Sequence, residues 1–281
     1  VDSENGNYDY LMGADIDFDN KEVIDELTTW GKWYYDQTGV SGFRLDAVKH
    51  IKADFYRDWV PAMREYTGMD MFVVGEYWHK QVGAMENYLK EVNGVMSLFD
   101  VPLHFNFHYA SKDGEGYDLC KILDGSLVAE NPTHAVTFVD NHDTQPGQAL
   151  ESFVNNWFKP HAYAITLLRQ GGYPCVFYGD YMGIPHNNVA AVGYELEELV
   201  KLRKYYAYGE QCDYFDDYHC IGWTRCGDAE HKNSGLAVVL STKYEHEKTM
   251  YVGKENAGKI YVNVIGDINR EILIDEAGMG V

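Results

Sequence analysis

The 281-residue chain is poor in the features that mark several protein classes. It has 5 cysteines, an odd count, at positions 120, 175, 212, 220 and 226. They form no CxxC and no paired framework, which argues against a structural zinc and against a disulfide scaffold. Basic residues are scarce: 23 Lys plus Arg stand against 44 Asp plus Glu, a formal charge of -21. A surface so acidic repels a phosphate backbone, so no nucleic-acid partner is expected. No apolar run approaches the roughly 18 residues that a membrane helix requires, so no membrane partner is expected either. There is no low-complexity tract. The chain opens on Val1-Asp-Ser3, with neither Met nor a signal-peptide pattern, and closes on Gly278-Met-Gly-Val281. Neither end reads as a natural terminus, and a part of a longer protein is expected.

What is present points to a packed α/β protein. Hydrophobic residues make up 46% and charged residues 24%, enough for a sizeable core rather than disorder. Val23, Leu27, Trp30 and Tyr34 recur at spacings of 3 and 4, which predicts a helix over 21–37 closed near Gly39. Brief apolar segments then alternate with helical stretches. The strands are expected near 42–48, 71–78, 95–100, 135–140 and 174–179. The helices are expected near 53–66, 82–92, 117–127, 153–170 and 194–205. Short strands of this kind suit a parallel sheet covered on both faces. From Gly209 the texture changes to short alternating segments at 219–224, 234–240, 248–252, 260–264 and 271–275. These predict a small antiparallel domain.

Carboxylates gather at the ends of the predicted strands. Asp46, Glu76, Asp100, Asp140 and Asp143 all lie at or just past a C-terminal strand end. In a barrel of βα units that face builds active sites. Helix capping is the competing reading for any one such Asp. It is weak for Asp46, which shares a short apolar segment with Arg44, Lys49 and His50, a costly set unless paired. Several carboxylates with Arg and aromatic residues, and no Ser/His/acid signature, suit glycosidic chemistry. Aromatic residues reach 15%, including 23 Tyr and 6 Trp, which fits sugar-stacking surfaces and ordinary cores alike.

Gly42-Phe-Arg-Leu-Asp-Ala-Val-Lys-His50, Val74-Gly-Glu-Tyr-Trp78 and Phe138-Val-Asp-Asn-His-Asp143 resemble three conserved regions of the α-amylase family of retaining glycoside hydrolases. The flanks Phe99–His104, Asn141–Gly147 and Tyr206–Gly209 are most similar to the bacterial liquefying enzymes. The resemblance implies the last five βα units (strands 4–8) of a (β/α)8 TIM barrel, followed by a small C-terminal antiparallel β-sandwich domain. Residues 1–19 would be the tail of a protruding metal-binding domain, 20–208 barrel, and 209–281 the β domain without its last strand. The first conserved region and three βα units are missing, so activity is expected to need an N-terminal part, as a separate chain or as residues left out of this one. Unpaired sheet edges would otherwise be exposed.

By motif, the resemblance implies Asp46 as nucleophile, Glu76 as general acid/base and Asp143 as the third carboxylate, holding the sugar 2-OH and 3-OH. Arg44 would orient Asp46. His142 would bond the sugar at the cleavage subsite, and Lys49 and Trp78 would line the leaving-group side. His50 fits both a sugar-linked and a metal-linked role. The implied reaction is endo-hydrolysis of α-1,4-glucosidic bonds in starch by double displacement with retention. Glu76 has to hold a proton before attack, which neighbouring carboxylates favour. A related oligo-α-glucosidase or transglycosylase, a noncatalytic starch-binding module and an inactive fragment are the rival readings.

The Asp-rich start, Asp9, Asp15, Asp17 and Asp19, suggests a hard cation bound through oxygen, though its spacing is not that of an EF-hand. A solvated loop is the alternative. The resemblance implies calcium, held by Asp9, Asp15 and the backbone carbonyl of His50, with Asp17 and Asp19 on a neighbouring metal. Its fuller form is two calcium ions with a sodium between them. At a further family calcium site near the C-terminal domain, Asp217-Tyr-His219 departs from the expected His-Asp pairing. Location is open between cytoplasmic and secreted: the unpaired cysteines favour a reducing compartment, while the family has members of both kinds.

Overall fold

A computed structural model describes residues 16–243, 246–266 and 270–281. Five strands form one sheet in sequence order: β1 (Gly42–Leu45), β2 (Phe72–Gly75), β3 (Ser97–Phe99), β4 (Ala135–Phe138) and β5 (Tyr173–Cys175). The pairs β1–β2, β2–β3 and β3–β4 are parallel. This is the expected run of barrel strands, each shorter than its apolar segment. The chain divides into two compact units. The first comprises the described residues up to Pro102 with Gly125–Val136; the second comprises Leu103–Asp124 and Thr137–Val281. No helix among the described residues is long and apolar enough to cross a membrane.

In the first unit, α1 (Lys21–Thr38) begins where the Asn20 side chain accepts the Glu22 N–H, and it ends at Gly39 with φ of 63°. That is the predicted helix, with its predicted stop. It packs on α2 (Ala53–Thr67) through Gly31, where a Cβ would lie 2.7 Å from the Trp59 ring. The core joins Phe55, Trp59, Val60 and Met63 of α2 to Val73, to Met85 and Leu89 of α3 (Val82–Glu91), and to Leu98. Gly75 closes β2 in a crowded spot: a Cβ there would meet Met96 Sδ at 2.9 Å and the Val48 side chain at 3.2 Å. The residue before Glu76 is therefore glycine for reasons of space.

One helix differs from expectation. α4 (Val101–Asp113) follows β3 directly, while the helix predicted at 117–127 is instead a 3-10 turn (Leu119–Lys121) and the short α5 (Leu127–Glu130). In α4 the apolar residues Val101, Leu103, Phe105 and Phe107 alternate, and all four are buried. A helix buried on most sides has no polar stripe, so its 3.6-residue period is invisible.

The second unit continues through α6 (Lys159–Leu168), α7 (Tyr178–Met182) and α8 (Tyr194–Tyr205). The β segment that follows forms a three-stranded antiparallel sheet of β6 (Gln211–Asp217), β7 (Cys220–Arg225) and β8 (Leu236–Ser241). The first of these was not anticipated; its residues are mostly half-exposed and carry Asp and Tyr. Two further antiparallel pairs join β9 (Met250–Tyr251) to β12 (Met279–Gly280) and β10 (Ile260–Val262) to β11 (Glu271–Leu273). Arg169 grips Asp213 with two bonds of 2.9 and 2.7 Å and lies 5.1 Å from the Phe215 ring and 5.5 Å from the buried Trp223 ring.

Candidate active site

The first unit carries Arg44, Asp46 and Glu76 at the ends of neighbouring parallel strands. The Glu76 N–H donates to the Leu45 carbonyl at 2.9 Å, and the Val48 N–H donates to the Glu76 carbonyl at 3.0 Å. These bonds carry the ladder one step past the strands and then release the chain. Ala47 takes a left-handed conformation, φ 45° and ψ 42°. For a residue with a Cβ this costs roughly 1–2 kcal/mol. Strain of this kind, held in place by surrounding bonds, is common at functional sites. Here the holding bond is visible: the Ala47 N–H donates to Glu76 Oε2 at 2.9 Å. The backbone turn after Asp46 thus fixes the carboxylate of Glu76.

Arg44 stands between the two acids. One guanidinium nitrogen bonds Asp46, and the other lies 3.9 Å from Glu76 Oε2. Exposure separates the carboxylates, with the Asp46 side chain 73% exposed and that of Glu76 only 9%. Tyr56, on α2 behind them, has its hydroxyl pKa raised by burial and then by the charge of Asp46. Lys49 and His50 follow on a 3-10 turn (Val48–His50). Trp78 lines a shallow open pocket with His79, Lys80 and Gln81, just beyond Glu76.

The second unit carries Asn141-His142-Asp143 on a tight turn after β4. The Asn141 side-chain oxygen accepts both the Asp143 and the Thr144 N–H at 2.9 Å, and the Asn141 N–H donates to Thr144 Oγ1 at 3.0 Å. His142 Nε2 lies 3.3 Å from Asp143 Oδ2, and both side chains are open to solvent. The two remaining strand-end acids are not of this type. Asp100 is fully buried and accepts the Leu127 and Val128 N–H groups at 2.9 and 2.7 Å, so capping is its role. Asp140, also buried, joins an ion cluster with Lys159 and Asp180. Sequence reasoning missed Lys159 and Asp180. The available signal was a lysine at the head of a helix that is otherwise nearly all apolar.

Of the suggested metal ligands, Asp9 and Asp15 lie outside the described residues. Asp17 accepts the Asp19 N–H at 2.9 Å. Asp19 is ion-paired with Lys52, which holds its carboxyl below the usual carboxylate range. An ammonium group therefore stands where a cation would meet Asp19. Among the described residues no group of three or more His, Cys, Asp or Glu is gathered to hold a metal.

Comparison with known proteins fits this arrangement. The α-amylase catalytic-domain family matches residues 7–217. Glucan 1,4-α-maltohexaosidase of Bacillus sp. strain 707 is 52% identical over 280 residues, covering 100% of this chain and 54% of the relative. An α-amylase of Bacillus licheniformis is 52% identical over 283 residues, covering 100% of this chain and 55% of that protein. The chain thus spans about half the length of these relatives. Among solved structures, an Anoxybacillus α-amylase superposes with a TM-score of 0.71 at 20% identity, over 95% of this chain and 61% of that one. With strands in barrel order, a strained turn that follows one strand-end acid and binds another, and a family match over most of its length, the chain belongs to the α-amylase family.

Proposed function

We propose that this chain carries the catalytic carboxylates of a retaining α-amylase acting within α-1,4-glucans. The observation that carries the reading is the Arg44–Asp46–Glu76 group, with its two acids in opposite environments. Asp46 is exposed and ion-paired, as suits a nucleophile that attacks the anomeric carbon. Glu76 is withdrawn from water at the neighbouring strand end, and as the general acid it would have to deliver a proton to the leaving oxygen. In the first step Asp46 bonds to C1, the bond to the leaving oxygen breaks, and Glu76 gives that oxygen its proton. In the second, Glu76 takes a proton from water, the water attacks C1, and the ester to Asp46 breaks with net retention. Asp143 would hold the distorted sugar through its 2-OH and 3-OH, His142 would bond it at the cleavage subsite, and Lys49 and Trp78 would line the leaving-group side. His50 would serve the sugar, a metal, or both.

Calcium belongs to the same proposal. It would be held by Asp9, Asp15 and the His50 carbonyl, with Asp17 and Asp19 toward a neighbouring metal. Among the described residues Asp17 offers oxygen, whereas Asp19 would first have to leave Lys52. Such a cation would fix the loop and take no part in bond breaking. The five thiols are all free, which favours a reducing compartment.

The deciding experiment measures reducing-end release from soluble starch. It uses the 281-residue chain alone and the chain placed behind the N-terminal portion of the Bacillus licheniformis relative. Release of internal-cleavage products in either form, abolished by Asp46→Asn, is the expected result. Starch binding without cleavage in both forms would leave a noncatalytic module instead, and cleavage from chain ends alone would favour an oligo-α-glucosidase.

A further inference from the structure

The second unit buries a cluster of ionisable groups that the proposed reaction does not use. Lys159, at the start of α6, is 1% exposed and carries an ammonium group between two carboxylates. It bonds Asp180 of α7 and lies 3.1 Å from Asp140 Oδ2, and both acid side chains are fully buried. The Tyr163 hydroxyl donates to the other oxygen of Asp180 at 2.7 Å, and the Phe153 ring lies 3.6 Å from the ammonium. Groups of this kind are costly to remove from water. A buried ion pair often adds little net stability over an apolar replacement of the same shape. Its location therefore matters more than its strength.

The location is the turn that bears Asp143. Asp140 directly precedes Asn141-His142-Asp143, and its Oδ1 accepts the Thr144 hydroxyl at 2.8 Å. The Val154 N–H approaches the same carboxylate at 3.3 and 3.4 Å, tying in the far end of the following loop. Thr144 Oγ1 in turn accepts the Asn141 N–H. The turn is closed from Asp140 to Thr144, and the closing carboxylate is anchored to Lys159. The Asp143 side chain, 37% exposed, meets His142 Nε2 at 3.3 Å, and its backbone N–H rests on Asn141.

We propose that Lys159 is a positioning residue: through Asp140 and Thr144 its buried ammonium fixes the turn that presents Asp143 to the sugar. The inference rests on the role proposed above for Asp143. It predicts a kinetic cost beyond lost stability, because misplacing a contact group by about 1 Å can cost on the order of 10²-fold in rate.

The test compares Thr144→Val, Thr144→Ser and Lys159→Met, in whichever form of the protein cleaves starch. Thr144→Val removes the closing hydroxyl but leaves the ion cluster whole. It should lower kcat by about 10- to 100-fold with KM within about 3-fold, and Thr144→Ser should restore most of the rate. Lys159→Met should lower kcat similarly in its folded fraction. Amide exchange at Asp143 and Thr144 should speed up in Thr144→Val and not in Thr144→Ser. If Thr144→Val is folded at the assay temperature and keeps kcat within about 2-fold of wild type, the proposal is overturned. Should the wild type cleave no starch, the functional reading falls, and amide exchange alone decides the positioning claim. Unchanged exchange at both amides in Thr144→Val would then overturn it.

Discussion

Both units of the molecule place one cation between two carboxylates, and they use the arrangement in opposite ways. Arg44 sits between Asp46 and Glu76 with its side chain 36% exposed and Asp46 in solvent. Lys159 sits between Asp140 and Asp180 with all three side chains out of water. Charge count and composition are nearly the same; burial is what differs. The exposed set is accessible to a substrate and tied down by backbone bonds at Ala47. The buried set is inaccessible, and its carboxylates are spent on the ammonium, the Thr144 and Tyr163 hydroxyls and the Val154 N–H. Water reaches the first set through Asp46 and Arg44, even though Glu76 is itself buried, and this access separates the set proposed above as reagents from the set that anchors.

Substitutions that separate activity from stability test this division, and Glu76→Gln should have the largest effect. It should lower kcat on starch by about 10²–10⁴-fold while the melting midpoint stays near wild type. Near-normal hydrolysis would remove Glu76 from the chemistry. Lys159→Met comes next and falls on stability, because it leaves two buried carboxylates without their cation. Denaturant unfolding should show a loss of roughly 3–5 kcal/mol. Arg44→Met, the matching change at the exposed set, should cost only about 0–1 kcal/mol in the same measurement. Equal losses at the two positions would erase the distinction.

A smaller effect concerns pH. Burial, with Asp180 adding to it, pushes Asp140 up to about 7 from an ordinary 3.8 against the pull of Lys159. A carboxyl whose folded value is raised binds more protons in the folded state. Its contribution is therefore fully present below about 3.8 and is lost as pH rises through about 7. The stability of wild type relative to Asp140→Asn should fall across that window and level off above it. A flat difference would mean that Asp140 does not titrate there. The smallest expected effect is that of chelation on the Asp-rich start, read as a modest drop in melting temperature. An unchanged midpoint would remove calcium from the functional reading.

Much of the architecture was legible in the sequence because its signals are local. The helix over 194–205 falls where its pattern places it, and Gly39 ends α1 as the left-handed residue its type suggests. The strands came out shorter than their apolar segments because β1 gives way to the bend at Ala47, which no side-chain periodicity announces. The helix α4 was hidden by apolar residues on most of its sides. At the candidate site the motifs already set Asp46, Glu76 and Asp143 apart from Asp100 and Asp140, but what the last two do was not readable. Only the partners Leu127, Val128 and Lys159, distant in sequence, show them to be anchors.

The bond from Ala47 to Glu76 has one more consequence. It makes the two oxygens of that carboxyl inequivalent before any substrate arrives. Oε2 accepts the Ala47 N–H and lies 3.9 Å from the Arg44 guanidinium. The main chain after Asp46 thus sets which edge of the Glu76 carboxyl faces Arg44, and a substitution that relaxed the bend at Ala47 would turn that side chain as well as the backbone.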